Sequence, residues 1–244
     1  MKKKMIQFLC VIVFVYSAYE LIQYAKTYAD TEQELEQVQQ VYEETHVLQE
    51  QQQSKMIQPR FEKLQTINEN IVGWISIPNS QLNNPVMYSG DNDYYLHHNY
   101  LDEESRAGSV FMDFRNDVKE LGRHTILFGH VMRNGSMFGE LAKFAEQIYA
   151  DEHSVITFST LYENYELQVF SAYETTTDFY YIETNFADDD AFNQFLTEIQ
   201  NRSLITMPVD VAATDQILTL STCTTSSADN ERFVVHAKLV KKQS

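Results

Sequence analysis

Residues 216–240 hold two segments: Gln216-Ile217-Leu218-Thr219-Leu220-Ser221-Thr222-Cys223 and Arg232-Phe233-Val234-Val235-His236-Ala237-Lys238-Leu239-Val240. Each alternates with the period of two expected of a half-buried strand, and the polar stretch between them makes a hairpin. On the first strand Leu218 and Leu220 share one face, and Thr219, Ser221 and Cys223 share the other. On the second, Phe233, Val235, Ala237 and Leu239 form the apolar face, with Arg232, His236 and Lys238 opposite. Cys223 ends one strand and Arg232 begins the next, so both sit at the same rim. A free cysteine is more often a small core residue, and a lone arginine a surface charge. A thiol beside a cation on the less apolar face is instead placed to be a thiolate.

The same texture recurs upstream. Trp74-Ile75-Ser76-Ile77 alternates and stops at Pro78-Asn79, and further strand candidates cover 109–112, 125–129, 155–158 and 165–172. Their period and turn spacing predict a mainly antiparallel barrel. A helix is expected after Pro59, with Phe61, Leu64, Ile67 and Ile71 on one face and Gly73 ending it. Two more are expected at 136–147 and after Asp188 as N-cap, where Phe192, Phe195, Leu196 and Ile199 form the buried stripe. Asp189 and Asp190 suit the positive end of that last helix. The acidic triplet lacks the spacing and glycine of a calcium loop.

The N-terminal quarter differs. Lys2, Lys3 and Lys4 precede an apolar run over residues 5–24, long enough at 1.5 Å per residue to span a bilayer core of roughly 30 Å. It reads as a retained single-pass anchor rather than a signal peptide, since Tyr16 is a poor fit to a cleavage site. The lysines place the N-terminus in the cytoplasm and the remainder outside. Residues 30–53 are rich in Gln and Glu, with Leu35, Val38, Tyr42, Thr45 and Leu48 at helical spacing. Two heptads are short for a coiled coil, which favours docking on the chain's own domain. The expected organisation is an anchor at 1–25, a helical stalk at 26–58 and a catalytic domain at 59–244.

The formal charge of −17 argues against nucleic acid and against anionic lipid surfaces. Cys10 lies in the apolar run, so Cys223 has no intramolecular partner in the rest of the sequence, and a leftover thiol in an exported protein suggests reactivity. A cysteine nucleophile needs a proton partner, usually histidine. His46 lies in the stalk, His236 midway along its strand, and His97 and His98 follow a Tyr pair as candidate binding residues. His130 is the preferred partner, because it ends the run Thr125-Ile126-Leu127-Phe128-Gly129 and opens a polar turn. No Cys/His cluster has zinc-like spacing; neither metal nor cofactor is expected.

Thr219–Cys223, Phe128-Gly129-His130 and Arg232-Phe233-Val234-Val235 resemble the three signature regions of sortases, the membrane-anchored cysteine transpeptidases of Gram-positive bacteria. The stretches 71–75, 90–96, 108–113 and 135–139, and the helix at 188–200, resemble class B in particular. The resemblance covers roughly 60–240. It implies an eight-stranded sortase barrel with N-terminal helices and a helix before the cysteine-bearing strand. It also implies that Cys223 attacks the Thr carbonyl of an Asn-Pro-x-Thr type sorting signal, that His130 moves the proton, and that Arg232 holds substrate and stabilises the oxyanion. Asn92, Leu96, Thr177, Tyr181, Ile182 and Ser221 would contact substrate. Thr224 departs from the pattern, since some class B members carry an acidic residue there. The partners implied are surface proteins with a C-terminal sorting signal and an amino group of a peptidoglycan precursor. A pilin lysine is the alternative amine, although no Asp-Pro lid or C-terminal membrane segment of a pilus-specific class C enzyme is present. The reading of a different class is a non-catalytic, membrane-tethered scaffold with Cys223 as a packing residue.

Overall fold

The computed structural model describes residues 2–46, 56–223 and 230–242; for Cys223 and a number of residues before 47 it describes the backbone alone. Eight strands, β1 (Ile71–Ser76), β2 (Asn83–Met87), β3 (Val110–Met112), β4 (His124–Gly129), β5 (Val155–Thr160), β6 (Asn164–Thr176), β7 (Ile217–Cys223) and β8 (Glu231–Lys241), close into a barrel in the order β1-β2-β3-β4-β7-β8-β6-β5. Closure leaves no exposed sheet edge. The β2–β3 and β4–β7 pairings are parallel and the others antiparallel. The barrel interior is apolar: Leu127, Leu218, Leu220, Val235 and Ala237 are all buried.

Strand β2 was not among the expected strands, and it contains Pro85, which cannot donate to a ladder. The register removes the conflict. Pro85 pairs with Trp74 of β1, while the pairing with β3 begins only at Val86. Gly73 does not end a helix either. The helix Pro59–Ile67 stops earlier, at an extended Asn68, and Gly73 lies inside β1 with Ile71 already in the strand. A Cβ on Gly73 would stand 2.8 Å from the Ser159 backbone carbonyl oxygen, so only glycine allows this approach of β1 to β5.

The helix expected at 136–147 is displaced. Residues 131–139 make a tight loop closed by a Val131–Met137 bridge, and only then come a 3-10 turn (Leu141–Ala145) and a short helix (Gln147–Glu152). Gly139 explains this, since a Cβ there would lie 2.3 Å from the Met132 carbonyl oxygen. The late helix is as expected: it spans Asp189–Asn201, and the Asp188 side chain accepts from the Ala191 N–H at 2.8 Å. Its apolar face lies on Phe170, Tyr173, Ile217 and Val234. The barrel face read from sequence as the less apolar is therefore a covered layer.

The long first helix, Lys2–His46, is continuous through residues 25 and 26. The single-pass anchor expected at 5–24, with a cytoplasmic N-terminus and an outside catalytic domain, is not borne out. Among the described residues no helix is long and apolar enough to cross a membrane. Gln7, Ser17, Glu20 and Gln23 interrupt the apolar run, where about 20 predominantly apolar residues are needed. Two compact units are distinguished, Met1–Gln37 and Val38–Ser244. Within the second, the end of the helix docks on the barrel: Val38 is buried, Gln39 donates to the Asn83 carbonyl at 2.8 Å, and Tyr42 stacks on Trp74 with ring centroids 4.2 Å apart. Leu48 and residues 224–229 of the β7–β8 connection, Thr224 included, lie outside the described residues.

Candidate active site

The ladder positions the site. In the parallel pairing of β4 with β7, Gly129 lies opposite Thr222, and in the β7–β8 hairpin Cys223 lies opposite Arg232. His130 directly follows the last paired residue of β4, and Cys223 directly follows Thr222 in β7. Positions 130, 223 and 232 thus stand at one end of three adjacent strands, with 223 and 232 directly opposite each other.

His130 is half-buried, and its Nε2 lies 2.8 Å from the Leu96 carbonyl oxygen. A carbonyl can only accept, so Nε2 carries the hydrogen and in the neutral ring Nδ1 keeps its lone pair. The Leu96 carbonyl is itself held in place. Gly108, at φ +55, allows its loop to approach so closely that a Cβ would be 2.7 Å from that oxygen. Arg232 is partly buried and donates through Nη1 to the Glu231 carbonyl at 2.7 Å.

The six expected substrate contacts divide by environment. Leu96 and Ile182 are half-buried, and Thr177 is exposed with its N–H donating to the Asn230 carbonyl at 3.0 Å. Tyr181 and Ser221 are brought together: both are buried, with their hydroxyls 2.8 Å apart. Asn92 uses both ends of its amide within the protein, donating to Asp113 at 3.2 Å and accepting from the Phe114 N–H at 3.0 Å. Of the other histidines, His98 stacks on Tyr94 and bonds its carbonyl, which is a packing role.

Two groups escaped the sequence reading. One is Asp113, whose fully buried carboxylate accepts from Arg115 Nε at 2.8 Å and Nη2 at 2.6 Å. Burial pushes that carboxyl up, but the Arg115 bonds more than offset this and hold it below the usual carboxylate range. Arg115 also donates to the Tyr180 hydroxyl at 2.7 Å, in the loop after β6. An acid at a strand end, two residues before an arginine, was the available signal. The other group is His124 with Thr219 and His236, all fully buried. Burial lowers His124 to about 4 and lowers His236 well below the ordinary histidine value. Among the described residues no three His, Cys, Asp or Glu side chains converge as a metal site.

The family model for the sortase domain matches residues 75–240. The chain belongs to the sortase family. A Sortase B of Staphylococcus aureus is 39% identical over 237 residues, covering 97% of this chain and 96% of that protein. A Sortase B of Listeria monocytogenes is 43% identical over 180 residues, 73% of each. Among solved structures, a Staphylococcus aureus sortase B–substrate complex superposes with a TM-score of 0.81 at 38% identity, covering 88% of this chain and 98% of that one. A Bacillus anthracis protein described as similar to sortase B gives 0.81 at 47% identity with the same coverage. The relatives place this sortase in class B, and with it the eight-stranded barrel and cysteine transpeptidase activity expected from sequence. The non-catalytic scaffold reading falls away.

Proposed function

We propose that Cys223, His130 and Arg232 carry the sortase reaction on an Asn-Pro-x-Thr type sorting signal. What supports this reading is the register that sets the three positions at one end of β4, β7 and β8. The Cys223 thiolate attacks the Thr carbonyl carbon and forms a tetrahedral oxyanion, to which the Arg232 guanidinium donates. The C–N bond breaks as His130 gives a proton to the departing amine, leaving a thioester on Cys223. An amino group of a peptidoglycan precursor then yields a proton to His130 and attacks the thioester carbonyl. The thiolate leaves, and a surface protein is joined to the cell wall. Since Nε2 is bonded to the Leu96 carbonyl, Nδ1 is the nitrogen that exchanges the proton.

Leu96, Thr177 and Ile182 line the substrate groove in this reading, while Asn92, Tyr181 and Ser221 fix its walls. Residues 59–244 form the catalytic domain in this reading. The test supplies the chain with an Asn-Pro-x-Thr peptide and two amines, an N-terminal glycine peptide and a lysine ε-amine. The expected product joins the Thr carbonyl to the glycine amine. Preferential joining to lysine supports the pilin reading instead, and a peptide left uncut at Thr contradicts both.

A further inference from the structure

A buried chain of hydrogen bonds runs beneath the proposed groove. His124 Nδ1 lies 2.6 Å from the Glu183 carbonyl oxygen, and its Nε2 lies 2.5 Å from Thr219 Oγ1. Thr219 Oγ1 is 2.6 Å from His236 Nδ1, and His236 Nε2 is 2.9 Å from the Tyr173 hydroxyl. The donors can be assigned. The Glu183 carbonyl only accepts, so His124 carries its hydrogen on Nδ1 and, when neutral, accepts from the Thr219 hydroxyl on Nε2. Thr219 has then spent its one hydrogen, so its oxygen accepts from His236 Nδ1–H, and His236 Nε2 accepts from Tyr173. Each step requires the one before it. The chain ties two things together: β7, which ends in Cys223, and the loop after β6, which carries Thr177, Tyr181 and Ile182.

We infer that Thr219 and His124 are positioning residues, holding the loop at 177–188 in register with the cysteine strand so that the groove is formed before substrate arrives. This rests on the substrate reading above. Neutral imidazoles suit the device, and burial keeps both neutral near pH 7. The charged and titratable groups acting on them are Asp113 and Arg115 on His124, His124 on His236, and Glu198, Arg202 and Tyr181 on Tyr173. Phe170 and Phe195 flank the rings and exclude water.

The test compares Thr219→Val, which keeps the shape and removes the hydroxyl, with Thr219→Ser, which restores it. Amide hydrogen exchange of residues 178–186 and steady-state kinetics are read on each. In Thr219→Val, exchange in that segment is expected to rise about tenfold, the worth of roughly one buried hydrogen bond. KM should rise by a similar factor with kcat within about twofold, and Thr219→Ser should behave as the parent. His124→Gln, which loses the bond to Glu183, gives the same result and serves if the valine variant does not fold. Unchanged exchange in a folded variant overturns the inference. The exchange needs no substrate, so it is separable from failure of the parent to cut the peptide, which would count against the substrate reading alone.

Discussion

Replacing His130 with Gln is expected to lower kcat/KM for transpeptidation by roughly 10²–10⁴, the usual worth of a positioned general acid–base. The substitution is chosen for its geometry. A glutamine amide nitrogen can take the place of Nε2 and keep donating to the Leu96 carbonyl, now 2.8 Å from His130 Nε2. What is lost is Nδ1, the nitrogen assigned the proton. His130 is only half-buried, so stability should change by no more than about 1 kcal/mol. Activity within tenfold of the parent would remove His130 from the mechanism.

The second large effect concerns stability. Arg115→Met is expected to cost about 3–5 kcal/mol at neutral pH, the range for removing one partner of a buried ion pair. The Asp113 carboxylate would keep only the Asn92 amide and the Arg115 backbone N–H as donors. The pH dependence has a definite sign. In the parent the Asp113 carboxyl is depressed, so its contribution is present above the unfolded value near 4 and fades only as pH falls through the lower folded value. In the variant burial is opposed only by the Asn92 amide and the backbone N–H of residue 115, so the folded value rises and the penalty shrinks as the pH drops toward 4 and the carboxyl protonates. Urea denaturation of both proteins at pH 7.5 and 4.5 checks this. Asp113→Asn added to Arg115→Met should recover part of the loss. A gap that does not narrow in acid would show that Asp113 is not the cause.

The sequence made some of this plain because single strands announce themselves. Alternation at 216–223 and 232–240 gave both faces of the hairpin, and the register pairs Cys223 with Arg232 as the pattern implied. Asp188 was a readable cap because capping is local. Strand β2 was not legible: its Pro85 fits only because the pairing with β3 starts at Val86, which is a matter of register and not of local sequence. The covered face was also hidden: Thr219 and His236 look solvent-facing by composition, and are buried only because the late helix and its loop close over them. His124 drew no notice for the same reason. Its partners, Glu183 and Thr219, are 59 and 95 residues away. The apolar run at the start showed the reverse error, where hydropathy alone was read as an anchor that no described helix provides.

The central claim is that Cys223 forms an acyl intermediate with the sorting signal. Mass spectrometry of the chain after brief reaction with an Asn-Pro-x-Thr peptide, without an amine acceptor, tests it directly. The account predicts an adduct equal to the peptide acyl group through Thr, mapped to Cys223, released by hydroxylamine and absent from Cys223→Ala. Turnover that persists in Cys223→Ala, or an adduct mapped to another residue, would contradict it.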